Sequence, residues 1–242
     1  EELDELGGQM KDVSNMGDAH FEGDCVIVNN RRYRLLPAKQ EQLLEETYSP
    51  KETTKTSVDL TSGFRPIQNQ GQQGSCVAFS LTSVFEYVVK LNTNQMMDLS
   101  EAFLYYNSRK LDAGEDFDPN LDDGTTFTSA LRALSEYGLA EESYCKYDPS
   151  LWSVEPTKEA YDDASVRKLI KALNVERSVS AMKSALSEGY PVLASFTLCR
   201  SFNPSANGLI SMPGQDELAA LADGSDQETL HNRHGMVIVG YD

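Results

Sequence analysis

The run NQGQQGSCVAFSLTSVFEY, residues 69 to 87, changes character at Cys76. Before that cysteine the chain is polar and rich in glycine; after it nearly every face is apolar. The apolar run reads as a core helix, with Cys76 at its N-terminus. Unpaired N–H groups and the dipole at such an end favour an anion, and therefore a thiolate over a thiol. Gly71 and Gly74 let the backbone turn tightly and leave room for a ligand. A lone cysteine beside apolar residues is ordinarily a packing residue. Chemistry at Cys76 therefore requires other groups.

His234, in NRHGMVIVGYD, heads a β-like run from which a side chain can project into a cleft. Imidazole is the natural base for a thiol and stabilises the thiolate as imidazolium. Its distance from Cys76 in sequence is what a split site allows. His231 lies three residues earlier. That HxxH pair lacks further ligands and the HExxH form, so no metal is expected. His20 sits in a polar stretch with no partner for chemistry. Gln70 lies six residues before Cys76. Its amide could donate to a developing oxyanion beside the Cys76 N–H. Because Gln72 and Gln73 are also present, spacing rather than residue type singles out Gln70.

The elements that must position these groups can be read from pattern. The chain has 242 residues, 40% hydrophobic, enough for a sizeable core in one or two domains. Residues 1 to about 20 read as loosely ordered, and CVIVNNRRYRLLP as two short strands around a turn at Asn29-Asn30. AKQEQLLEETY reads as a short helix and residues 49–57, SPKETTKTS, as an exposed linker. Beyond Val58 come helical patterns at SEAFLYYNSRKL, with Ser100 as N-cap, and at TSALRALSEYG, closed by Gly138. SVRKLIKALN and VSAMKSALSEG read as two more helices, YPVLASFTL and HGMVIVGYD as strands. Helices first and strands later predict an α+β protein of two lobes. The long insert between Phe202 and His231 carries QDELAALAD, a short acidic helix by pattern.

Composition excludes some classes of function. A net charge of −17 argues against a nucleic-acid partner. No run of about 18 apolar residues is present, so no membrane span is expected. Four cysteines, at 25, 76, 145 and 199, show no zinc-ligand spacing. If Cys76 is free, the remaining three cannot all pair within one chain, and cysteine usage leaves the redox compartment open.

The run QGQQGSCVAFS resembles the signature of papain-like cysteine peptidases, roughly QGxCGSCWAFS. The likeness continues in order through VDLTSGFRPIQNQ, LSEAFLYY, DDGTTFTSALRALSEYGLAEESYCKYD, GYPVLASF and RHGMVIVGYD, covering residues 56 to 242. It implies a papain-like α+β fold, with a helical left lobe carrying Cys76, a β-rich right lobe carrying His234, and a cleft between. It implies Cys76 as nucleophile, His234 as general base and acid, and Gln70 as oxyanion donor. Gly124 and Thr125 match the segment whose backbone pairs with an extended peptide, and Phe127 falls near the S2 pocket. Gln73 departs from the signature by replacing its first cysteine, removing the usual nearby disulfide. Val77 departs by replacing tryptophan. The family's histidine-orienting asparagine is expected beyond Asp242.

The activity implied is cysteine endopeptidase hydrolysis of protein or peptide substrates, without cofactor. The alternatives are an acyl transferase or amidase on the same fold, or an inactive binding module. Residues 1–55 are expected to be an atypical prosegment, acting as an intramolecular inhibitor of a peptidase domain at 56–242. Secretion or export is the expected destination.

Overall fold

The computed structural model describes residues 19–22, 25–28, 31–34, 46–169, 171–199, 201–202, 208–222 and 233–242. The N-terminal part holds three antiparallel strands, β1 (Ala19–Glu22), β2 (Cys25–Val28) and β3 (Arg31–Arg34), in that order. Pairing of Val28 with Arg31 brackets the expected turn at 29–30, whereas β1 falls at the end of a stretch read as loosely ordered.

The expected helix over residues 38–48 lies outside the described residues up to position 45. Its last part is extended: Thr47 bridges Asn174, and the Tyr48 N–H donates to the Asn174 carbonyl at 2.7 Å. The following residues are not a free linker. The Lys51 N–H donates to Ser184 Oγ at 2.8 Å, Thr53 Oγ1 to Ser187 Oγ at 2.8 Å, and Lys55 Nζ to the Ser187 carbonyl at 2.6 Å. Polar composition made this segment look like solvent-facing coil. Its short hydroxyl and lysine side chains instead bond to serines on the helix beneath.

After β4 (Val58–Asp59) the chain enters the helical lobe through α1 (Cys76–Thr93), α2 (Glu101–Ala113), α3 (Phe127–Glu136) and α4 (Lys158–Ala164). Ser100, Thr126 and Thr157 cap the last three, each accepting from the N–H three residues on. Leu81, Leu99, Phe103, Leu104, Phe127 and Leu134 fill the core between them. Truncating Phe103, which is fully buried, to alanine costs about 3–5 kcal/mol. The helix expected over SVRKLIKALN does not form. Ser165 ends α4, and the chain then runs alongside the α3 terminus: Leu139 N–H donates to the Arg167 carbonyl, and Leu169 N–H to that of Leu134. Gly138, at φ 85°, makes this approach possible, because a Cβ there would lie 2.0 Å from the Ala164 oxygen.

The second lobe contains α5 (Val179–Ser187), β5 (Val192–Thr197), α6 (Gln215–Ala222), β6 (Arg233–Ile238) and β7 (Gly240–Tyr241). Helix α6 falls in QDELAALAD, as its pattern predicts. Strands β5 and β6 pair antiparallel, Val192 with Ile238 through Thr197 with Arg233, and β4 pairs with β7. Tyr48, Ala185, Leu186 and Val192 form this lobe's smaller core, with Val58, Leu60, Ile238 and Tyr241 against it.

Candidate active site

Cys76 is the first residue of α1, preceded by Ser75. Ser75 makes no side-chain cap; its hydroxyl instead bonds Tyr147 Oη at 3.0 Å. The first backbone bond of the helix runs from Phe79 N–H to the Ser75 carbonyl at 3.1 Å. No acidic side chain lies in the first turn. The helix end thus has neither a capping side chain nor a carboxylate of its own to offset its positive end.

The loop before Cys76 is tied at several points. Gln70 Nε2 donates to the Gln73 carbonyl at 2.8 Å, and the Gln70 carbonyl accepts from Tyr147 Oη at 2.7 Å. A primary amide carries two hydrogens, so the Gln70 side chain keeps one for another acceptor. Gly74 lies against Gly124: a Cβ on Gly74 would sit 3.2 Å from the Gly124 N and Cα. Gly124 itself has φ 73°, and Thr125 follows it into the Thr126 cap of α3. Phe127 is 6% exposed, a core residue rather than an open wall. Its ring tip would touch a Cβ on Gly235 at 3.1 Å, so it lies behind the histidine strand.

The segment preceding Gly124 is held from the far side by Arg109. This buried guanidinium donates to the carbonyls of Leu121 at 2.6 Å and Trp152 at 2.8 Å. It also lies over the rings of Tyr105 and Trp152, 4.7 and 4.8 Å from their centroids. Asp122 accepts from Tyr105 Oη. Burial, followed by that bond to Asp122, pushes the Tyr105 hydroxyl up.

His234 lies on β6 opposite Phe196. Burial pushes its imidazole below the ordinary value, favouring the neutral ring that can take a proton. The next residue joins the lobes: Gly235 N–H donates to Cys76 Sγ at 3.3 Å, and the Gly235 carbonyl accepts from Ser80 Oγ at 3.0 Å. The structure therefore brings the sulfur and the peptide that follows His234 together across the lobe boundary. Sequence reasoning missed Ser80, Asp122, Tyr105, Tyr147 and Gly235. Only the glycine after His234 carried a local signal, as a site of close backbone approach. Among the described residues no group of three or more histidine, cysteine or acidic side chains could hold a metal ion. None of the described helices is long and apolar enough to cross a membrane.

A family model described as papain family cysteine protease matches residues 54–242. An uncharacterized peptidase C1-like protein of Acanthamoeba polyphaga mimivirus is 28% identical over 158 residues, 60% of this chain and 49% of that protein. The chain thus spans about half the length of this curated relative. Among solved structures, xylellain, a cysteine protease from Xylella fastidiosa, superposes with a TM-score of 0.62 at 22% identity. That match covers 81% of this chain and 75% of xylellain. Digestive procathepsin L 3 of the Tenebrio molitor larval midgut gives 0.61 at 22% identity, over 83% of this chain and 60% of its own. Both likenesses place the fold among papain-like structures.

Proposed function

Because the chain belongs to the papain family of cysteine proteases, we propose that it hydrolyses peptide bonds as an endopeptidase through Cys76 and His234. The observation that carries this reading is the 3.3 Å contact from Gly235 N–H to Cys76 Sγ, which sets the histidine strand beside the helix-terminal sulfur. In the proposed reaction the Cys76 thiolate attacks the substrate carbonyl carbon. The oxyanion forms between the Cys76 N–H and the second hydrogen of Gln70 Nε2. His234, having taken the Cys76 proton, gives it to the leaving amine as the C–N bond breaks, leaving an acyl-enzyme. His234 then takes a proton from water, whose oxygen attacks the thioester; the C–S bond breaks, the carboxylic acid leaves, and the proton on His234 restores the Cys76 thiol. Gly124 and Thr125 would bond the extended substrate through backbone groups, with Phe127 supporting that wall from behind.

The test is turnover of a fluorogenic peptide library, together with labelling of Cys76 by a thiol-reactive epoxide. Wild type should cleave and label, Cys76→Ala should do neither, and His234→Ala should keep its fold while losing turnover. Residual cleavage by Cys76→Ala would sink the reading. The proposal includes a proenzyme state. Because Lys51, Thr53 and Lys55 bond α5, we take residues 1–45 of the expected 1–55 prosegment as its removable part. Chains starting at Glu1 and at Glu46 should differ in activity, and added peptide 1–45 should inhibit the shorter one. Equal activity without inhibition would refute the proenzyme.

A further inference from the structure

Serine hydroxyls inside a helix ordinarily bond back to the carbonyl four residues earlier. Ser83 follows that habit, donating to the Phe79 carbonyl at 2.9 Å, and Ser108 bonds Leu104 in the same way. Ser80 does not. Its side chain, in a residue only 7% exposed, leaves α1 and donates to the Gly235 carbonyl in the other lobe. One helical turn earlier on the same helix, Cys76 Sγ accepts the N–H of the same glycine. Two α1 side chains thus grip both backbone polar groups of one β6 residue.

The register explains why those groups are free. Gly235 stands opposite Ser195 in the antiparallel β5–β6 ladder. Residues in such a ladder alternate between pairs that exchange hydrogen bonds and pairs whose N–H and C=O point away. Because the Gly235 N–H goes to the sulfur, it belongs to the second kind, with its polar groups on the side away from β5. The start of α1 fills the place a third strand would take, supplying sulfur as acceptor and a hydroxyl as donor. Val77 closes the gap: a Cβ on Gly235 would lie 3.2 Å from its Cγ2.

We propose that Ser80 is a positioning residue for the nucleophile, holding Gly235 so that its N–H donates to the Cys76 thiolate. A charged acceptor gains more from this donor than a neutral thiol does. Without the Ser80 hydroxyl the Gly235 carbonyl is buried and unpaired, and β6 must shift to satisfy it. The donor then drifts from the sulfur, and His234 moves with it. Among the described residues, Asp122 accepts from the Gly74 N–H, Tyr147 bonds Ser75, and His234 immediately precedes Gly235. The inference deepens the reading of Cys76 as nucleophile.

The experiment compares Ser80→Ala with Ser83→Ala, whose hydroxyl stays within α1. Iodoacetamide alkylation of Cys76 is followed by peptide mass spectrometry from pH 5 to 10, beside melting curves and steady-state kinetics. Ser80→Ala should alkylate about three- to tenfold more slowly near pH 6, but no more slowly than wild type near pH 10. Its kcat should fall about tenfold with KM within about twofold. Ser83→Ala should match wild type in both. Equal alkylation profiles for Ser80→Ala and wild type would overturn the proposal. So would a loss in Ser80→Ala that is the same at every pH. A wild type that alkylates as expected but cleaves no peptide would refute the hydrolase reading while leaving this one standing.

Discussion

Asp122 accepts the Gly74 N–H with both carboxylate oxygens, each at 3.1 Å. The relationship crosses from the α2–α3 connection to the loop that carries Cys76, the proposed nucleophile. In the papain signature a disulfide begins one residue before this glycine, where the chain has Gln73. Here the nearby tie is a carboxylate, held in turn by the Tyr105 hydroxyl.

Removing that tie should loosen the loop without unfolding the lobe. Asp122→Ala is expected to lower kcat/KM about tenfold, since a charge-assisted hydrogen bond contributes about 1.5–3 kcal/mol and this one is exposed. Asp122→Asn should fall between, because its single carbonyl oxygen must serve two donors. Reducing agent should leave the wild-type tie intact, unlike a disulfide. Peptidase kinetics and melting temperature measured together check this; unchanged kinetics in both variants would exclude the role.

Gly235→Ala tests the lobe contact from the other side. A methyl there would meet Val77 and Phe127 at 3.1–3.3 Å. The strand must retreat by a few tenths of an ångström, stretching the contact to Cys76 Sγ. Overpacking of this kind costs about 1–3 kcal/mol. The variant should melt several degrees lower and lose most of its reactivity with the epoxide. Labelling at the wild-type rate would show that the close approach is not required.

Glu101, at 4% exposure, gives a pH signature in stability. Burial, with the carboxylates of Glu86, Glu142 and Asp98 nearby, raises it from 4.5 to about 8. Between those values the folded protein keeps a proton that the unfolded chain releases. Stability is therefore fully present below pH 4.5 and is lost as pH rises through about 8. The amount is on the order of 5 kcal/mol at most. Glu101→Gln mimics the protonated form, so it should flatten this decline and stabilise the protein at pH 8, with little change at pH 5. Denaturant midpoints across pH decide the matter; parallel curves for the two proteins would rule it out.

The strip at residues 46–57 predicts where shortening becomes harmful. Tyr48 is 8% exposed, and its hydroxyl bonds Ser184 Oγ at 2.8 Å and Glu188. A chain beginning at Glu46 should keep the stability of the body. One beginning at Thr56 loses the tyrosine from the smaller core, a change worth about 3–5 kcal/mol. Equal melting temperatures for the two would contradict the packing.

Much of the helical lobe was legible because α1 is apolar on nearly every face, while α2 and α3 show helical patterns marked by Ser100 and Gly138. Cys76, His234 and Gln70 were legible as a set because their order and surroundings form a signature. What escaped was nonlocal. Lys168 and Leu169 continue a helical pattern, but Leu169 instead donates its N–H to Leu134, a contact no window of sequence contains. SPKETTKTS lacks any apolar residue, so its attachment rests on hydroxyl and lysine bonds to α5. The side chains that steady the site, Ser80, Asp122 and Tyr147, are ordinary polar types whose partners lie 155, 48 and 77 residues away.

The closing of the smaller core by both chain regions sets a calendar for assembly. Tyr241 Oη donates to the Lys55 carbonyl across 186 residues, and β4 pairs with β7 near the end of the described residues. The helical lobe depends mostly on neighbours between residues 76 and 164, so it can condense while the ribosome is still extending the chain. Strand β6 emerges later and completes the site. Cys76 therefore leads by 159 residues the glycine whose N–H touches its sulfur. In a nascent chain Cys76, the proposed nucleophile, waits for residues 233–241 to bring the Gly235 N–H to its sulfur.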